Sequence, residues 1–171
     1  IEILTPAQVT ISGNVPTYPI KKGDKVFSNQ TYVFGDFAEE LKNMKLMRLS
    51  MDEQAKNGTS ITFTSKEPVN VLVGYFNTER KEYAKAPTLE TDASANEFGQ
   101  GDVKIANAID VPGRASVNIH TYTFPAGTNT LSLGKGAALI LGFTNANQKI
   151  DPRNAGFGGE GESSKIDWLF Y

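Results

Sequence analysis

Short runs rich in Val, Ile, Thr, Phe and Tyr recur about every ten residues, with Gly, Pro, Asn and Asp between them, while helical periodicity is nearly absent. A chain patterned this way must pair strands. The runs predict strands near 6–12, 25–34, 44–51, 60–65, 68–76, 103–110, 115–124, 129–134, 137–144 and 165–171. One short helix is expected over DFAEELKN at 36–43, with Asp36 capping its first turn and Phe37 and Leu41 on one face. The strands are short and no repeat of blade length is present. The expected fold is therefore all-β, a two-sheet antiparallel β-sandwich of jelly-roll type with one short helix.

Alternation assigns faces. Ile61 and Phe63 fall on one side of their strand and Thr62 and Thr64 on the other, as in a half-buried antiparallel strand. In VNVLVGYF at 69–76, Val69, Val71, Val73 and Tyr75 share a face, while Leu72 and Phe76 need cover from the opposite side. Ile166, Trp168 and Phe170 share a face of the predicted C-terminal strand, which reads as core. Turn chemistry supports the strand divisions: Asn57-Gly58 precedes TSITFT, and Gly134-Lys135-Gly136 is expected to join LSL to ALILGF in a tight hairpin. Two long polar connections, 84–102 and 147–164, are candidates for functional loops.

The 171 residues suit one domain, 1–171, with one sizeable core. Seventeen basic and 19 acidic groups give a net charge of −2, with no long run of one sign. Nucleic acid is therefore not the expected partner, since it would select a basic stripe. No apolar run approaches the roughly 20 residues of a membrane helix. Cysteine is absent, which removes disulfides, thiolate nucleophiles and Cys-containing metal sites together. The chain starts at Ile1 without a leader, so the expectation is a mature or excised piece, the C-terminal part of a larger secreted protein.

No catalytic signature emerges. His120 is the single histidine, it sits in a predicted strand, and no G-x-S-x-G elbow is present, so it reads as an ordinary strand residue. Glu90, Asp92, Glu97 and Asp102 supply hard oxygen donors that Ca²⁺ would accept, but their spacing matches no EF-hand and a solvated acidic loop is the simpler reading. No cofactor is expected beyond that Ca²⁺ option. GFGGEGE at 156–162 lacks the ending of a phosphate loop. Aromatic rings beside hydrogen-bonding groups can hold sugars, because a pyranose offers a flat C–H patch ringed by hydroxyls. Tyr75, Asn77, Arg80 and Tyr83 supply that mixture where the strand at 68–76 ends, and they form the candidate ligand-binding set. The competing reading is that Tyr75 merely closes the core.

Three segments in order carry a resemblance: GDKVFSNQTYVFGDFAEELKNMKLMRLSMDEQ, then SITFTSKEPVNVLVGYF, then HTYTFPAGTNTLSLGKGAALILGFT. Together, over roughly residues 23 to 145, they resemble the β-sandwich accessory domains of bacterial polysaccharide-degrading proteins, in which "ITF-x-V-x-KP-V-x-VYVAYD" is followed by "FPAG-x-V-x-LG". The resemblance implies the galactose-binding-like jelly roll used by carbohydrate-binding modules. Asn77 and Arg80 match polar positions of that pattern, whereas its "P-x-W-L" tryptophan is replaced in Pro87-Thr88-Leu89.

The resulting expectation is a non-catalytic, extracytoplasmic and bacterial carbohydrate-binding-like module of a glycoside hydrolase or polysaccharide lyase. Its partners would be a polysaccharide or oligosaccharide and a neighbouring catalytic domain. The alternative is a structural sandwich that buttresses that neighbour or completes its active site, with Arg80, Tyr83 or His120 as donors.

Overall fold

The computed structural model describes residues 2–13, 15–77 and 102–158. In chain order they form β1 (Val9–Ile11), β2 (Thr17–Pro19), a 3₁₀ turn (Glu39–Leu41), β3 (Lys45–Met47), α1 (Met51–Asn57), β4 (Thr59–Ser65) and β5 (Val69–Phe76). After these come β6 (Asp102–Ile109), β7 (Val117–Phe124), β8 (Gly127–Leu133), β9 (Leu139–Asn145) and β10 (Arg153–Asn154). A three-stranded sheet has the order β1-β4-β8, and a seven-stranded sheet the order β10-β6-β7-β5-β9-β3-β2. The sheets are antiparallel except where β10 joins β6 in parallel. This is a β-sandwich, as the strand pattern predicts.

β5 lies at the centre of the large sheet, between β7 and β9. Its Val69, Val71, Val73 and Tyr75 face the small sheet, against Ile61, Phe63 and Leu131, in a core that Phe124 of neighbouring β7 shares. There Phe63 meets Phe124 edge-on with centroids 5.2 Å apart and Phe143 at 4.8 Å, the tilted contacts aromatic quadrupoles favour. Leu72 and Phe76 point the other way, into a second core closed by Ile20, Val26, Phe27, Phe34, Leu41 and Met44. The layer over that face is built mostly of irregular chain.

Four expectations change. Residues 25–34 form no strand, only a single bridge from Lys25 to Val33, because Phe27 and Phe34 both turn inward as cover for the large sheet. The helix expected over 36–43 shrinks to the 3₁₀ turn Glu39–Leu41; Asp36 pairs with Lys22 instead of capping, and Phe37 bridges to Ile109. The actual helix, α1, begins at the end of the strand expected over 44–51. Its start was legible in Ser50-Met-Asp-Glu53, a capping-box pattern, and Ser50 Oγ accepts from the Glu53 N–H at 3.2 Å.

Gly134-Lys135-Gly136 makes no hairpin. β8 belongs to the small sheet and β9 to the large one, so this connection carries the chain across the sandwich. Buried Gln54 of α1 pins it: the amide Nε2 donates to the Ala138 carbonyl at 2.9 Å and to Thr59 Oγ1 at 3.0 Å, and Gly136 N–H donates to the Gln54 carbonyl at 3.0 Å. The strand expected at 165–171 lies outside the described residues.

Two buried polar pairs lock the layers. Tyr75 and Tyr122 join hydroxyls at 2.6 Å inside the inter-sheet core, and burial foremost, then the neighbouring phenol, pushes the Tyr75 pKa above its ordinary value. On the opposite side Glu40, 4% exposed, receives Arg153 through two 2.8 Å bonds, tying the 3₁₀ turn to β10. The Arg153 guanidinium holds the Glu40 carboxyl below the usual carboxylate range against the opposing pull of burial.

Arg153→Met leaves that carboxylate buried without its cation and is expected to cost about 3 kcal/mol at pH 7 in urea unfolding. A depressed folded pKa stabilises above the unfolded value of about 4.3, and the contribution disappears as pH falls through the lower folded value. The penalty should therefore shrink as pH drops below about 4; a pH-independent penalty would assign the loss to packing. Tyr122→Phe removes the partner of the Tyr75 hydroxyl and is expected to cost about 1–3 kcal/mol. Adding Tyr75→Phe should then recover stability, and a further loss in the double variant would contradict the pairing.

Candidate functional site

β5 delivers the chain to one end of the sandwich, and there the sequence-predicted set separates. Tyr75 is 2% exposed, with His120 edge-on against its ring at a centroid distance of 4.8 Å. A ring so enclosed has no face to offer a sugar, so Tyr75 is corrected from a stacking platform to a core residue. The cause is the alternation begun at Val69, which continues to the strand's end under the small sheet. His120 is likewise a buried strand residue of β7, opposite Val73.

Asn77 leaves the strand but stays 8% exposed. Its N–H donates to the Ser116 carbonyl at 2.7 Å and its Nδ2 to Asn107 Oδ1 at 3.1 Å. Asn107 sits fully buried at φ +49°, in an irregular stretch of the β6–β7 pairing, a conformation Asn tolerates better than most residues. Ser116 Oγ also donates to Asn107 Oδ1; Asn107 N–H reaches Asn118 Oδ1 at 2.8 Å, Asn107 Nδ2 reaches Asn154 Oδ1 at 3.0 Å, and Phe157 N–H donates to the Asn107 carbonyl at 2.9 Å. Asn77 therefore belongs to an amide junction joining β5, β6, β7 and β10.

Arg80 and Tyr83 lie outside the described residues, as do Glu90, Asp92, Glu97 and Trp168. Asp102 opens β6 opposite Thr121. Among the described residues no group of three or more acidic or histidine side chains could hold a metal ion, and no helix is long and apolar enough to cross a membrane.

The same end carries a set that the sequence reading missed. β6 and β7 are joined by Asp110-Val-Pro-Gly-Arg114, where Arg114 N–H donates to the Val111 carbonyl at 2.9 Å and Gly113 takes φ +84°, as the third residue of a type II turn requires. The Arg114 guanidinium lies 4.2 Å from the centroid of the half-buried Tyr32 ring. Asp110 is clasped by backbone: Gly35 N–H donates to its carbonyl at 2.7 Å, and a Cβ on Gly35 or Gly158 would come within 2.7 or 2.6 Å of its carboxylate oxygens. Glycine at both places leaves room for that half-buried carboxylate. Asp110, Arg114 and Tyr32 thus place an acceptor, a donor and a ring at one end, beside Asn77. The signal was available in Pro112-Gly113 between two apolar runs, which marks a hairpin tip; Tyr32 was hidden because 25–34 read as a strand.

No family model matches the chain, and no curated protein matches it. Among solved structures it is similar to a GH138 enzyme targeting pectin rhamnogalacturonan II, with 37% sequence identity and a TM-score of 0.79. The likeness covers 100% of this chain and 19% of that one, so the chain spans about a fifth of the enzyme it matches.

Proposed function

We propose that the chain is a non-catalytic β-sandwich module of a glycan-degrading enzyme and that it contacts carbohydrate at the Asp110–Arg114–Tyr32 end. The observation that carries this reading is the likeness of the whole chain to one part of a much longer glycoside hydrolase. A piece of that kind works beside a catalytic neighbour, and a polymeric substrate sets the work outside the cytoplasm. The galactose-binding-like jelly roll expected from the sequence belongs to the same reading. Asp110 would accept from sugar hydroxyls, Arg114 would donate, and Tyr32 would hold the guanidinium in place.

One observation favours the structural alternative. Tyr18 is the single large apolar side chain exposed among the described residues, and Arg48 covers its ring at 4.0 Å from the centroid. No described ring lies open as a platform, which suits a module that buttresses its neighbour.

Affinity gels cast with rhamnogalacturonan II, homogalacturonan or a neutral glycan separate the two. The carbohydrate-binding reading expects retardation by pectic polymers, weakened at least about tenfold in Kd by Arg114→Ala and by the isosteric Asp110→Asn. Free migration in every gel would leave the buttress as the function.

A further inference from the structure

The face of the large sheet covered by the irregular layer changes character along its strands. On β5 the side chains pointing there run Phe76, Leu72, Asn70, and on β7 they run Val117, Ile119, Thr121, Thr123. Where the apolar layer stops, a hollow of about 470 Å³ opens, within the roughly 300–1,000 Å³ usual for small-molecule sites. Asn70, Thr121, Thr123 and Lys104 line it from the sheet, and Gln148 and Lys149 from the connection after β9.

Its free hydrogen-bonding capacity is weighted toward donors. Thr123 Oγ1 donates to Asn70 Oδ1 at 2.6 Å, which fixes the amide's orientation, and its amide N–H groups have no partner among the described residues. The Thr121 hydroxyl, 9% exposed on the floor, and the Lys104 ammonium have no side-chain partner there either. Lys104 sits where the β6–β7 register shifts between Val103 and Ile105. Lys149 brings a second ammonium, paired with Asp151 at 3.3 Å where both side chains are largely exposed, a contact worth little that a better anion can displace.

We propose that this hollow is a binding site for a carboxylate-bearing sugar, with Lys104 and Lys149 facing the carboxylate and the Asn70 amide and Thr121 hydroxyl facing ring oxygens. Donors concentrated beside two cations fit an acceptor-rich, anionic saccharide better than a neutral one. The sugar class rests on the glycan reading above; the site lies at the opposite end of β5 and β7 from Asp110 and Arg114.

The test is an NMR titration of the ¹⁵N-labelled chain with trigalacturonate and with its methyl-esterified counterpart, repeated on Lys104→Gln and Thr121→Val. Expected are shift changes centred on residues 70, 104 and 121. Esterification or Lys104→Gln should weaken binding at least about tenfold, and added salt should weaken it further. Lys104→Gln removes charge from the rim of the hollow, and its unchanged melting temperature would show the fold intact; Thr121→Val keeps the floor's shape and provides a second readout. Equal binding of ester and acid, no effect of Lys104→Gln, or no shift at these residues overturns the proposal. If pectic gels still retard the protein in an Arg114-dependent way, the hollow alone has failed. If trigalacturonate moves residues 70, 104 and 121 while Arg114→Ala and Asp110→Asn leave retardation intact, the hairpin-tip site has failed and the hollow stands.

Discussion

A strand with apolar side chains on both faces can only lie in the middle of something, because either face left in water would forfeit the free energy of burying it. β5 is that strand, and it obliges the large sheet to be covered twice. One cover is regular, the three-stranded sheet. The other is supplied by chain that forms almost no ladder, so its backbone must find hydrogen bonds piecemeal: Gly23 N–H to the Phe34 carbonyl, Ile20 N–H to Met44, and Ala38 N–H to Ala108. Glu40 and Arg153 fasten this layer to the sheet edge, where propensity alone gives little hold.

Much of this was visible in the residues, since period-two alternation records which face is wet. β4 and β5 could be placed almost to the residue, and the opposed duties of Val73 and Leu72 could be read directly. What stayed hidden has a common cause. VFSNQTYVF reads as a strand because Phe and Val favour strands, yet its apolar groups were selected to plug a sheet from outside, for which no local period exists. The Gly-Lys-Gly connection failed for a related reason: glycines announce a change of direction without saying which sheet receives the chain. The helix capped by Ser50 was legible and lost only to the neighbouring strand signal.

Of the four residues that the strand end offered for a ligand, the two that are described are both buried. Strand alternation draws Tyr75 inward, and Asn77 is absorbed by its contact with Asn107. Both are infrastructure. The half-buried groups at that end, Asp110 and Arg114, come from a turn whose chemistry was local and plain but whose neighbours, Tyr32 and Gly35, arrive from about eighty positions earlier in the chain. Such a meeting is written in topology, which a single sequence exposes only after its sheets are assigned.

The crossing from β8 to β9 bears on how the molecule comes into being. The small sheet takes strands from three widely separated stretches, and its threonine pairs, Thr62 with Thr130 and Thr64 with Thr128, join residues 68 and 64 positions apart. Loop closure of that length must be completed before the inter-sheet core gains much, and non-local pairing of this kind slows folding. During synthesis β4 therefore emerges long before its partner, and Ile61 and Phe63 wait in water for Leu131 and Leu133 to leave the ribosome. The residues alternating with them, Ser60, Thr62 and Thr64, are polar, so the waiting strand offers an edge that is apolar on one face only.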